Sequence, residues 1–98
     1  MFVKVHKTYR NVVAVCDSEL IGKNFEEGVK VLDVRDNFYR GEEKTEEEAE
    51  EIIIDMSKED ATFNIVGEKS VNLALRLGII SEEGIGTIQG VKFALVFL

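Results

Sequence analysis

His6 and Cys16 are the one histidine and the one cysteine of the chain. Together they are the pair from which nucleophilic chemistry would have to be built. A thiolate activated by an imidazole needs the two side chains close together. The runs Phe2–Lys7 and Val12–Cys16 read as two strands joined through Thr8-Tyr9-Arg10-Asn11. With a three-residue loop, His6 pairs with Ala14 and Lys4 with Cys16. His6 and Cys16 are then diagonal neighbours, roughly 7 Å apart at Cβ or less, on the face opposite Val3, Val5, Val13 and Val15. A one-residue slip in register removes that pairing. The plainer reading is a small core cysteine beside a surface histidine. One His and one Cys also leave a tetrahedral metal shell half empty, so no metal site is assigned within one chain. A single cysteine excludes an internal disulfide.

A second candidate is Ile65-Val66-Gly67-Glu68-Lys69-Ser70, where a strand, a glycine and a helix start follow one another. A phosphate loop of the Walker type needs glycine directly before the lysine and again five residues earlier. Glu68 and Phe63 stand there instead, which disfavours nucleoside triphosphate hydrolysis. Free N–H groups at a helix start still attract anions, and Lys69 would help while Glu68 opposes. The plainer reading is a strand-to-helix turn in which Gly67 allows close packing. Phe38-Tyr39-Arg40-Gly41 and the hairpin-tip pair Tyr9-Arg10 join aromatics to an arginine, a combination that stacks nucleobases or anchors a protein. Its plainer counterpart is a loop whose Phe38 plugs the core. Asp17, next to Cys16, completes the set. No catalytic residue, cofactor or small-molecule group is assigned.

These residues need elements to hold them. Asp17–Gly22 reads as a single capped turn, started by Asp17 and stopped by Gly22. Glu27-Gly28 is a turn signal before a third strand, Val29–Val34, and residues 37–41 read as a loop. Thr45 with Glu48 forms a capping box, and Ala49, Ile52, Ile53 and Met56 share one face of the helix that follows. Ile54 falls off that face. Thr62–Val66 reads as a fourth strand and Glu68–Leu77 as a second helix, which Gly78 ends. Ile85–Ile88 and Val91–Leu98 form a closing hairpin over Gln89-Gly90. The order ββ-β-α-β-α-ββ predicts an α+β fold, a two-layer sandwich of about six strands in a mixed sheet with two helices on one face. The last strand turns apolar on both faces, as expected of a central strand or of one covered by a second copy.

The 98 residues are the size of one domain, 1–98. A chain this small leaves little room for a deep pocket, so a site is expected in a surface groove or at a subunit interface. The net charge is −7. Residues 42–60 alone carry ten carboxylates against two lysines, or −8, and the other 79 residues sum to +1. The acidity therefore belongs to one helix and its flanks, and no basic patch marks a nucleic-acid site. No apolar run reaches a membrane-spanning length and no leader is read at the N-terminus, so the expected home is a reducing cytoplasm.

The stretches Val13-Ala14-Val15-Cys16-Asp17, Phe38-Tyr39-Arg40-Gly41-Glu42 and Asn64-Ile65-Val66-Gly67-Glu68 carry a resemblance that extends over nearly the whole chain. The sequence resembles an archaeal family of small proteins designated domain-of-unknown-function family 424. That family's middle stretch has a second glycine where this chain has Arg40. The resemblance implies a cytoplasmic archaeal protein with a two-layer α/β sandwich and no established activity, cofactor or catalytic residue. It also suggests a link to RNA or translation that composition does not show. From residues and resemblance together the expectation is a non-enzymatic binding module, with RNA, a protein partner or a second copy as its partner and no membrane. A small enzyme with a site near Cys16, Asp17, His6 and Gly67 is the remaining alternative.

Overall fold

The computed structural model describes residues 1–97. Its centre is two strands that are buried on both faces. Val12–Cys16 (β2) and Thr62–Val66 (β6) are rich in β-branched side chains, and they run parallel in register from Val12↔Thr62 to Cys16↔Val66. Buried, near-continuous apolar runs of this kind are what a parallel pair requires. Phe2–His6 (β1) lies antiparallel on the outer side of β2, and Glu42–Glu43 (β5) adds two residues beyond β1. Val91–Val96 (β8) lies antiparallel on β6 and carries Gly86–Ile88 (β7) on its far side. The six-stranded order is β5-β1-β2-β6-β8-β7. Gln89 and Gly90, with φ of 51° and 78°, close the β7–β8 hairpin as a two-residue turn, as expected from the sequence.

Two helices cover one face. Glu46–Ser57 (α2) starts at Thr45, whose hydroxyl accepts from the Glu48 N–H while the Glu48 carboxylate accepts from the Thr45 N–H, so the capping box is present. Its Ala49 and Ile53 pack on Val3, Val13, Val15, Phe63 and Ile65, and Ile52 and Met56 flank them. Ile54 sits among the glutamates on the outer side and is exposed. Glu68–Arg76 (α3) adds Val71, Leu73 and Ala74 to the same core, and Gly78 at φ 75° ends it. Arg76 reaches across to Glu46 and Glu50 of α2. The α+β sandwich with two helices on one face holds.

Three parts of the sequence reading are corrected. The strand expected at Val29–Val34 is not in the main sheet. Asn24–Glu27 (β3) and Lys30–Asp33 (β4) instead form a separate two-stranded ribbon with Val29 bare at its tip, and the sixth sheet position belongs to β5. That ribbon covers the second sheet face, so the main sheet is sheltered on both sides. The loop read at residues 37–41 contains a short helix, Asp36–Tyr39 (α1). Ribbon and α1 enclose a second core of Ala14, Cys16, Val34, Tyr39 and Val66, edged by Phe25, Leu32, Phe38 and Phe93. Finally, the last strand ends at Val96; Leu98, to which the sequence reading extends it, lies outside the described residues. No helix among the described residues is long and apolar enough to cross a membrane.

Candidate functional site

Cys16 and His6 share a face, as the alternation of β1 and β2 dictates, but they do not meet. The connection from Lys7 to Asn11 sets His6 opposite Val12 and Phe2 opposite Cys16, at the other end of the strand pair. The register differs from the expected one by two residues, which preserves facing and abolishes proximity. Cys16 is fully buried, and its thiol donates to the Asp17 carbonyl at 3.1 Å. Burial, with the charges of Asp17 and Glu19 adding, pushes the thiol up to about 12. A group that stays protonated and has no exposed atom is not an available nucleophile.

Asp17 starts the turn Ser18–Leu20 through its carbonyl, which accepts from the Leu20 N–H, but its side chain does not cap that turn. Its carboxylate reaches 52 residues along the chain instead. Oδ2 accepts from the Lys69 N–H at 3.0 Å, and Oδ1 accepts from the Ser70 N–H at 2.8 Å and from the Ser70 hydroxyl at 2.7 Å. Helix α3 is thus capped from the end of β2. Gly67 makes the approach possible, because a Cβ there would fall 2.3 Å from the Asp17 carboxyl carbon and its φ is +105°. The helix start read as an anion site is occupied by the chain's own anion. An incoming phosphate would have to displace a buried carboxylate, and Glu68 beside it is already turned toward Lys92 at 3.7 Å. The Lys69 side chain is exposed. Asp17, Gly67 and Ser70 are therefore a structural clamp. Its Ser70 member gives no local sequence signal, since the partners lie on different elements.

The Phe38–Gly41 segment is tied down residue by residue. Tyr39 is the aromatic that enters the core, while Phe38 is half-buried at its edge, the reverse of the expected plug. Arg40 pairs with Asp36 at 2.7 Å and lies over the Phe2 ring. Gly41 presses on β1 so closely that a Cβ would sit 2.1 Å from the Val3 carbonyl oxygen. His6 stacks on Phe38, centroids 4.6 Å apart and planes 17° from parallel, and its Nε2 donates to the Phe38 carbonyl at 2.8 Å. A carbonyl only accepts, so Nε2 carries a proton, and in the neutral ring Nδ1 is the acceptor. Beside this pair is a cleft of about 440 Å³ lined by His6, Asp33, Arg35, Asn37, Phe38 and Tyr39. His6, Phe38 and Tyr39 were legible as candidates. Asp33, Arg35 and Asn37 were not, because only the ribbon and α1 bring them to His6.

The second feature of note is the end of β8. Gly67 N–H donates to the Lys92 carbonyl, so Lys92 turns its backbone toward β6. Backbone groups alternate along an antiparallel strand, so Ala94 and Val96 do the same and Leu95 turns its own outward. On that outer side β7 stops at Gly86, opposite Phe93. The strand edge at Leu95 is left open, and the Leu95 and Phe97 side chains are 53% and 77% exposed. At the same end of the strands, across β6 and β2, Tyr9 and Arg10 lie exposed at the β1–β2 tip. Among the described residues no group of three or more His, Cys, Asp or Glu side chains is arranged to hold a metal ion.

The model of a family described as "Protein of unknown function (DUF424)" matches residues 6–98, in agreement with the resemblance read from the three sequence stretches. The fold is similar to the crystal structure of an uncharacterized conserved protein from Methanopyrus kandleri, with TM-score 0.86 and 24% identity over 98% of this chain and 89% of that one. At that identity the likeness speaks for the fold alone. No curated protein matches the chain.

Proposed function

We propose that this chain, which belongs to the DUF424 family of proteins of unknown function, works as a non-catalytic binding module that pairs with a second copy of itself along β8. The observation that carries this reading is the open edge at Leu95, bordered by two bare apolar side chains. Unpaired strand edges recruit another strand unless they are blocked by charge, proline or a bulge. From Phe93 to Phe97 there is no charged residue and no proline. A second copy fits this edge for two reasons. An antiparallel strand pair about a two-fold axis is self-complementary, with Leu95 of each copy answering the other's backbone groups. Each chain also carries −7, so two copies approach best where the surface is neutral. Light scattering and sedimentation are expected to give a dimer for the native chain and a monomer for Leu95→Lys/Phe97→Lys. A native chain that stays monomeric at its highest soluble concentration overturns the reading.

A second reading, single-stranded RNA binding, draws on a different observation. The first 16 residues contain no acid and carry Lys4, Lys7, Arg10 and His6, Tyr9 is fully bare, and the acidic α2 packs on the other sheet face. A bare aromatic next to Arg10 and two residues from Lys7 in the chain is of the type that stacks bases. Fluorescence anisotropy with labelled single-stranded RNA is expected to show binding that weakens steeply with salt. It is also expected to weaken by about fivefold or more in Tyr9→Ala, in line with ~1–3 kcal/mol per stacked base. Absence of binding at low salt removes this reading.

A further inference from the structure

We propose that the cleft between His6 and Arg35 is a nucleotide subsite, taking a nucleobase at the His6–Phe38 end and a phosphate at Arg35. It stands independently of pairing along β8. The cleft of about 440 Å³ lies in the size range of small-molecule sites, ~300–1,000 Å³. It is a mixed lining and not an apolar groove. Each wall supplies a different kind of contact and comes from a different element: His6 from β1, Asp33 from the end of β4, Arg35 from the link between them and α1, and Asn37 to Tyr39 from α1 itself.

The contacts are set in advance. The imidazole is held by its stack on Phe38 and by the Nε2 bond to the Phe38 carbonyl. The tautomer of the neutral ring is therefore fixed, with one acceptor, Nδ1. The segment carrying Phe38 is held in turn by the Lys4 ammonium, which donates to the Asn37 carbonyl at 2.7 Å. Phe38 and Tyr39 meet edge to face at 4.9 Å, so the aromatic side of the cleft is rigid. Arg35 is exposed and gives its Nε–H to Asp33 Oδ2 at 2.9 Å. An arginine has five donors, and that bond leaves the terminal fork, whose geometry matches a phosphate. The bond also orients the fork, because Asp33 fixes the guanidinium plane. Asp33 keeps a second oxygen that accepts from an N–H edge. A planar, nitrogen-rich ring with both donors and acceptors, carrying a phosphate, satisfies this set. A bare anion would use Arg35 alone, and an apolar ligand would strand His6 and Asp33. The same chemistry can arrive as a free mononucleotide or as one residue of a single-stranded RNA.

Amide and aromatic NMR spectra of the native chain are to be titrated separately with guanosine monophosphate, adenosine monophosphate, inorganic phosphate and a short single-stranded RNA. Saturable shifts confined to His6, Arg35, Asn37, Phe38 and Tyr39 are expected. Binding should weaken about tenfold in Arg35→Ala, the loss of a charge-assisted contact, and Arg35→Lys should restore only part of it. Shifts with a mononucleotide support the subsite as a site for free nucleotide. Shifts at the same residues with RNA, and none with mononucleotide, support it as a base-and-phosphate site on RNA. Equal shifts with inorganic phosphate overturn it in favour of simple anion attraction. Silence with every probe overturns it, as does binding that Arg35→Ala leaves unchanged. Arg35 is exposed, so its variants keep the fold, and unaltered spectra away from the cleft check this.

Discussion

Replacing Asp17 by alanine tests the clamp between β2 and α3. The side chain is 4% exposed and accepts three hydrogen bonds from two residues of α3. Bonds to a charged acceptor contribute about 1.5–3 kcal/mol each when taken singly. These three share one carboxylate, so they do not add. Loss of a helix cap costs about 1 kcal/mol. The Ser70 hydroxyl is fully buried, and removing the carboxylate leaves it only the weak Met1 sulfur acceptor at 3.9 Å, which adds about 1–3 kcal/mol for a poorly satisfied polar group. The expected destabilisation is about 3 kcal/mol, a large share of the ~5–15 kcal/mol that holds a domain together. Urea unfolding at constant slope reads it directly, and the midpoint temperature should drop by about 12–24 °C at ~4–8 °C per kcal/mol. A cycle with Ser70→Ala sharpens the test. In that background no hydroxyl is orphaned, so Asp17→Ala should cost about 1 kcal/mol less. A loss below about 1 kcal/mol in the native background, or strict additivity in the cycle, would refute the reasoning that one carboxylate carries the start of α3.

Gly67→Ala forces a Cβ into the Asp17 carboxyl at a φ of +105°, and should cost about 2–4 kcal/mol by chemical denaturation. Gly41→Ala meets the Val3 backbone, which cannot swing aside; a loss of about 2 kcal/mol and faster amide exchange at Glu42 and Glu43 are expected. Native Cys16 should resist a thiol reagent at pH 8 and react only on unfolding, because its thiol is sealed and pushed up to about 12. Stability should fall through the alkaline range. Burial raises Cys16 from 9.0 and Tyr39 from 10.0, each to about 12. The unfolded chain therefore releases those protons first, and the fold loses ground from about pH 9 to pH 12. Cys16→Ala should flatten the lower part of that decline, and a pH-independent midpoint across the window would count against both assignments.

What could be read without the fold was what neighbouring residues decide among themselves. The Thr45–Glu48 box, the apolar stripe Ala49/Ile52/Ile53/Met56, the stop at Gly78 and the turn at Gln89-Gly90 each close within a few residues, and each is present. Alternation along β1 and β2 likewise placed His6 and Cys16 on one face correctly. The failures share one cause. β5 is a pair of glutamates, and only the edge of β1 and the close approach of Gly41 make it a strand. Asn24–Glu27 has little strand character of its own and exists as the partner of Lys30–Asp33. The length of the β1–β2 connection set the register, and with it the separation of His6 from Cys16.

The candidate sites divide along the same line. Residue types and spacing were enough to single out His6, Phe38, Tyr39, Asp17 and Gly67, and to mark the last strand as unusually apolar. Their roles came from contacts made across long stretches of chain. Asp17 meets Ser70 across 53 residues, and His6 meets Phe38 across 32. By itself the sequence determined the local elements, the segregation of acid into residues 42–60 and the family. Tertiary structure alone decided that the chain's own carboxylate fills the start of α3, that Cys16 is sealed, that Arg35 faces a cleft with His6, and that β7 stops short of Leu95. Local elements follow from interactions a few residues apart, whereas a site is a meeting of elements, and no periodicity encodes which residues the topology brings together.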